Sequence, residues 1–137
     1  MVKELPPVIS WDDSWSVGLT EIDDDHKKLV HILQTLFGAL ITSQGVEYLG
    51  TIIKELLDYT EYHFEHEEMI LKSKQYPNLE DHIECHNQLI EQVKIYCQII
   101  KDQHETEELS DDVFEFLKHW LVDHILDKDF LYKPYLN

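Results

Sequence analysis

The chain has 137 residues, enough for one domain with a four-helix core. It holds 11 Lys and Arg against 28 Asp and Glu, a formal net charge of −17. That balance argues against nucleic acid or an anionic membrane as partner, and describes a solvated acidic surface that draws cations inward.

Only four Gly and four Pro interrupt the chain, and no apolar run approaches the roughly 20 residues that span a bilayer. The opening MVKELPPVISWDD lacks the apolar core of a signal peptide, so a cytoplasmic location without membrane insertion is expected. Residues 1–19 read as an irregular arm, with Pro6-Pro7 and with Trp11 and Trp15 covering the bundle. Thr20 with Asp23 resembles a helix cap followed by an acidic first turn. From there Ile22, His26, Leu29, Val30, Leu33, Leu36, Phe37 and Leu40 keep helical spacing.

A loop through Ser43 and Gly45 leads to a second helix over roughly 46–73, striped by Leu49, Ile52, Ile53, Leu56, Thr60, His63, Glu67 and Ile70. Tyr76-Pro77-Asn78 breaks the chain, and Asn78 can cap a third helix running to about 103. Its stripe is Leu79, His82, His86, Leu89, Val93, Cys97 and Ile100. Ser110 can cap the fourth helix, which carries Val113, Phe114, Leu117, Leu121, His124 and Ile125. The tail from Phe130, with Pro134, is expected to pack back irregularly. Cys85 and Cys97 share the third helix, about 18 Å apart at about 1.5 Å per residue, beyond disulfide reach. Two free thiols suit a reducing cytoplasm.

The fold expected is all-α, an up-down-up-down four-helix bundle over 20–129 with an arm at 1–19 and a tail at 130–137. Alternating helix direction brings His26, early in its helix, level with His63 and Glu67, late in theirs. The same rule brings His82 and His86 level with His124 and Asp129. His63 and Glu67, like His82 and His86, are four apart and share a face. Ionisable groups are rarely buried unpaired, so seven on inward stripes at one level point to a metal centre. Seven ligands exceed the four of one zinc and suit two six-coordinate ions sharing the two carboxylates.

His124 and Asp129, five apart, lie about 140° from each other on a regular helix. Both face the core only if the helix widens or ends near Asp127 to Asp129, so a π-turn or terminus is predicted there. His31, His119 and His104 read as ordinary surface residues, and His66 as a flanking group beside Glu67. Asp23, Glu68, Asp123 and Asp127 read as solvated acids able to orient a ligand imidazole. Tyr62, Trp120, Phe130 and Tyr132 read as packing residues. Cys85, on another face from His86, is not expected to ligate.

These positions carry a resemblance. Trp15, Gly18, Ile22-Asp23 and His26, then His63-Phe64 with Glu67-Glu68, His82 and His86, and Trp120-Leu121, His124-Ile125 and Asp129 are similar to the hemerythrin family, most of all its bacterial single-domain members. The resemblance spans about the whole chain, and every ligand position is filled. It implies two irons per chain, with His82, His86 and His124 on one and His26 and His63 on the other. Glu67, Asp129 and an oxo or hydroxo group would bridge them. O2 would bind at the open position of the second iron, walled by Phe64, Leu121 and Ile125, taking two electrons and the bridge proton.

The implied role is reversible O2 binding, as carrier, store or delivery module, rather than enzymatic turnover. O2 is then the ligand, with an unidentified O2-consuming protein as partner. The competing roles are a sensor of O2, nitric oxide or redox state, and a di-iron oxidase or peroxidase. Ferritin-type oxidase sites use Glu-x-x-His pairs and four carboxylates. None of the nine histidines here follows a Glu by three, and only two carboxylates are in the set, which argues against oxidase chemistry.

Overall fold

The computed structural model describes residues 9–41, 45–102 and 107–136. Pro6-Pro7, Ser43 and His104 lie outside the described residues. Four helices make up the bundle: α1 (Thr20–Ile41), α2 (Gly45–Ser73), α3 (Leu79–Asp102) and α4 (Glu107–Asp123). The protein is therefore all-α, a four-helix bundle, with no strand among the described residues.

Each helix buries the stripe its spacing implies. Leu29, Val30, Leu33 and Leu36 of α1 meet Leu49, Ile52, Ile53 and Leu56 of α2, Val93 and Ile100 of α3, and Val113, Phe114 and Leu117 of α4 in one core. Trp11 and Trp15 cover it, edge to face at 5.9 Å, with the Lys27 ammonium over the Trp11 ring. At the site end a smaller cluster of Val17, Ile22, Leu71, Tyr76, Tyr132 and Leu136 seals the bundle. The polar level lies between the two clusters, closed off from water on both sides.

Helix ends depart from the expected caps in two places, and the tail departs from the irregular course expected of it. The Asp23 N–H bonds to the Leu19 carbonyl, so α1 starts its ladder one residue before Thr20. The Asp23 carboxylate instead accepts the Ser16 hydroxyl and the Val17 N–H, which ties the arm to the first turn where an anion favours the helix dipole. Gly18, at φ 87, makes the left-handed turn that lets the arm enter.

Helix α4 begins at Glu107, so Ser110 lies inside the helix, three residues past its start; Glu107 and Glu108 at its N-terminus favour the earlier start. The tail is not irregular: Phe130–Tyr132 forms a helical turn and Lys133–Tyr135 a 3-10 turn. Pro134 sits in the first positions of that turn, where a missing N–H costs little.

Candidate metal centre

Immediately after α4 the chain widens into a π-helical turn, His124–Asp129, as the spacing of its two polar residues requires. The Phe130 N–H reaches back to the Ile125 carbonyl, an i to i+5 bond. Widening brings residues five apart nearly into line, so His124 and Asp129 both turn inward and are both buried. His26 comes from the second turn of α1, His63 and Glu67 from the last third of α2, and His82 and His86 from the first two turns of α3. All seven side chains are buried together.

The carboxylates divide their oxygens between two sets of imidazoles. Glu67 Oε1 lies 2.6 Å from His82 Nε2 and 3.1 Å from His86 Nε2. Asp129 Oδ1 lies 3.2 Å from His82 Nε2 and 3.0 Å from His124 Nε2. The other oxygens face the other way: Glu67 Oε2 is 3.1 Å from His63 Nε2, and Asp129 Oδ2 is 3.0 Å from His26 Nε2. The result is two groups of converging donors, Glu67, His82, His86, His124 and Asp129 beside His26, His63, Glu67 and Asp129.

Many of these atoms are unsatisfied as hydrogen-bonding groups. Short as these separations are, the Nε2 atoms of His26, His63, His86 and His124 and both Asp129 oxygens are buried without a hydrogen bond of proper angle. Orphaned buried polar atoms are rare and costly. Here they are all lone-pair donors aimed at two common points, which is what a pair of cations sharing two carboxylates needs. The donor set therefore fits the metal group that the ligand spacing implies.

The electrostatics agree. Burial alone would lower the His26 and His82 imidazoles, but the Asp129 and Glu67 carboxylates overcome it and hold both near about 9. His124 is likewise desolvated yet carried to about 10, chiefly by Asp129. His63 is raised by Asp25 and Glu67 against its burial. Burial pushes Glu67 up, but four imidazoles outweigh it and hold the carboxyl well below its ordinary range. Asp129 is lowered too, His124 and His26 overcoming burial and the nearby Glu67 charge. Both carboxylates thus stay anionic and draw positive charge onto the imidazoles around them.

An outer layer orients the imidazoles through their other nitrogens. Asp25 Oδ2 lies 2.9 Å from His63 Nδ1 and 2.7 Å from His66 Nδ1, while Asp25 Oδ1 accepts from the Tyr59 hydroxyl. Glu68 Oε2 lies 2.8 Å from His86 Nδ1. Tyr132 donates its hydroxyl to Glu67 Oε2 at 3.0 Å. Phe64 lies flat on the His86 ring, 3.7 Å between centroids and 3° between planes, and packs in the core with Leu121 and Ile125.

The sequence reading missed Asp25 and the hydroxyl role of Tyr132. The available signal for Asp25 was that His63 and His66, three apart, share a face needing an acid on α1. Which of Asp23, Asp24 and Asp25 supplies it depends on how α1 is rotated. Tyr62 does not pack the core: it is 56% exposed and stacks on His66. Cys85 is outside both donor groups, yet its Sγ is 3.8 Å from His124 Nδ1, and that imidazole lowers the thiol pKa. His31 and His119 are exposed, as expected.

Residues 17–136 match the family described as the Hemerythrin HHE cation binding domain. The chain is 31% identical over 133 residues to a myohemerythrin of Theromyzon tessulatum, covering 97% of this chain and 98% of that protein. It is 31% identical over 134 residues to a bacteriohemerythrin of Stenotrophomonas maltophilia, covering 95% and 85%. A hemerythrin-like protein of Naegleria gruberi is 28% identical over 136 residues, covering 99% and 100%. Among the described residues no helix is long and apolar enough to cross a membrane.

Proposed function

Because this chain belongs to the hemerythrin family, we propose that it binds O2 reversibly at a non-haem di-iron centre held by His26, His63, Glu67, His82, His86, His124 and Asp129. The observation that carries the reading is the division of the Glu67 and Asp129 oxygens between a three-histidine and a two-histidine group. Two irons so held would supply the two electrons that O2 binding calls for. His82, His86 and His124 with both carboxylates would offer five donors to one ion. His26 and His63 with the same carboxylates would offer four to the other, so the two-histidine side is where an exogenous ligand would fit.

Phe64, Leu121 and Ile125 wall that ligand with apolar surface and limit water and proton access, which favours release of O2 over its further reduction. Asp25 and Glu68 hold the tautomers of His63 and His86 that leave Nε2 free. Five imidazoles and two carboxylates supply little negative charge for high-valent iron, which supports binding over oxidase turnover.

Iron analysis with visible spectra of the reduced protein, taken before air, in air and after evacuation, tests the proposal. Two irons per chain and an absorption that appears and reverses are expected. One metal per chain, zinc alone, or irreversible bleaching overturns it. Prompt, unidirectional oxidation in air instead selects the sensor or enzyme role.

A further inference from the structure

Holding His63 in its tautomer accounts for one of the three donors on Asp25 and leaves His66 unexplained. An ionised carboxylate only accepts, so both imidazoles present an Nδ1–H to the same Asp25 oxygen, at 2.9 Å from His63 and 2.7 Å from His66. Two short hydrogen bonds thus join a buried imidazole of the metal site to His66, whose side chain is 28% exposed.

Outside His66 the surface turns apolar. Tyr62 stacks on the His66 ring, 5.9 Å between centroids, and Tyr59 lies 5.6 Å from Tyr62. Tyr62 and Met69, seven residues apart on one face of α2, are 56% and 67% exposed. Acids rim them: Glu65 is exposed on the same face, and the Glu21 carboxylate of α1 lies 3.6 Å from His66 Nε2. On the α3 side Lys94 meets Glu61 only at 4.0 Å. Aromatic residues and Met are enriched where proteins meet partners.

We propose that this face of α2 docks a small basic protein carrying one electron at a time, and that His66, Asp25 and His63 conduct its electrons to the metal pair, a role that rests on the di-iron reading above. In each encounter the carrier is oxidised by one electron and one ferric ion becomes ferrous. Two encounters return an oxidised pair to the ferrous state that O2 binding requires. No bond between heavy atoms forms or breaks, and no proton passes along the relay, because Asp25 stays an anion between two N–H donors. Electronic coupling falls off more slowly through hydrogen bonds than across open contacts, which makes this short relay a good conductor. The net charge of −17 steers a cationic protein to an acidic rim and repels a second copy. A patch of two exposed side chains suits a redox encounter, which buries less than about 1,200 Å².

Cytochrome c, a basic one-electron carrier, is the probe. Carbodiimide crosslinks to its lysines, mapped by mass spectrometry at low salt, should concentrate at Glu21, Glu61 and Glu65 and vanish as salt is raised. With the zinc-substituted, photoexcited probe and the oxidised iron-loaded chain, triplet decay should saturate with chain concentration, which yields an affinity and a rate within the complex. His66→Phe should slow that rate several-fold at unchanged affinity and iron content. Glu65→Lys with Met69→Lys should weaken affinity several-fold at unchanged rate. Tyr135→Ser, at the end of a second aromatic row through Tyr76 and Tyr132, should alter neither. Crosslinks spread evenly over the acids, decay linear in concentration, indifference to His66→Phe, iron lost from that variant, or slowing by Tyr135→Ser each overturns the proposal. So does self-association in sedimentation that Met69→Lys abolishes, since a second copy would then cover the face. Crosslinking is repeated on the metal-free chain: failure to load two irons sinks the di-iron reading, whereas two irons with scattered crosslinks sink the docking alone.

Discussion

Asp25 collects three donors on one carboxylate, and two of them are imidazoles on the same face of α2. Its pKa is driven up by burial and, more strongly, down by His63 and His66, so it stays an anion that locks His63 Nε2 toward the site. Asp25→Asn removes that charge and one acceptor position. It should weaken metal retention about tenfold, read by chelator competition, since orienting partners of ligand imidazoles are worth about 10- to 100-fold. Tyr132→Phe tests a neutral partner. It takes from Glu67 Oε2 the hydroxyl that donates to it while hardly changing volume, and should cost about 1.5–3 kcal/mol in denaturant unfolding of the metal-free chain, the usual worth of a hydrogen bond to a charged group. A loss near zero would show that the hydroxyl is decorative.

At the scale of elements, the widened turn after α4 sets the site more than any single helix does. Without it Asp129 would swing toward solvent and both donor groups would lose their shared oxygen pair. The end of α2 shows the opposite case, a regular motif carried by an unfavourable residue. The Tyr76 N–H bonds to the Leu71 carbonyl and the Gln75 N–H to the Lys72 carbonyl, a Schellman arrangement with Gln75 at φ 57. A left-handed conformation costs an L residue about 1–2 kcal/mol. Gln75→Gly should therefore raise stability by about 1 kcal/mol, with metal content unchanged, since Gln75 touches no ligand. No gain in the unfolding midpoint would mean that the strain is relieved in some other way.

For the molecule as a whole, metal, protons and folding compete for the same atoms. His26, His82 and His124 are raised to about 9, 9 and 10, so at neutral pH these imidazoles of the metal-free chain are cationic, each holding one proton more than its neutral form. Metal uptake at pH 7 should release at least these three protons per chain, measurable in weak buffer, and fewer as pH approaches 10. The sign for stability follows from the same shifts. Raised imidazoles stabilise the metal-free fold fully below their ordinary pKa of 6.5 and cease to as pH climbs through 9 to 10. Glu67 and Asp129, held low, stabilise above their ordinary 4.5 and 3.8 and cease to as pH falls below them. Melting of the metal-free chain should thus peak between about pH 4.5 and 6.5. A melting temperature flat from pH 6.5 to 10 would contradict the assignment.

Periodicity and residue type were enough to make four helices, the buried stripes and the seven converging side chains legible, because helical spacing decides which residues share a face. Even the π-turn could be read, since two buried polar residues five apart fit no regular helix. The start of α1 at Leu19 and of α4 at Glu107, the ordered tail and the exposure of Tyr62 could not, because backbone hydrogen bonds at helix ends have several near-equal solutions. The outer layer was hidden for a related reason. Asp25 rather than Asp23 or Asp24 meets His63, and Cys85 meets His124, only once α1 and α3 have settled into a particular rotation and offset. Local propensity reads along one chain segment, whereas the partner of a side chain is set by the packing of another.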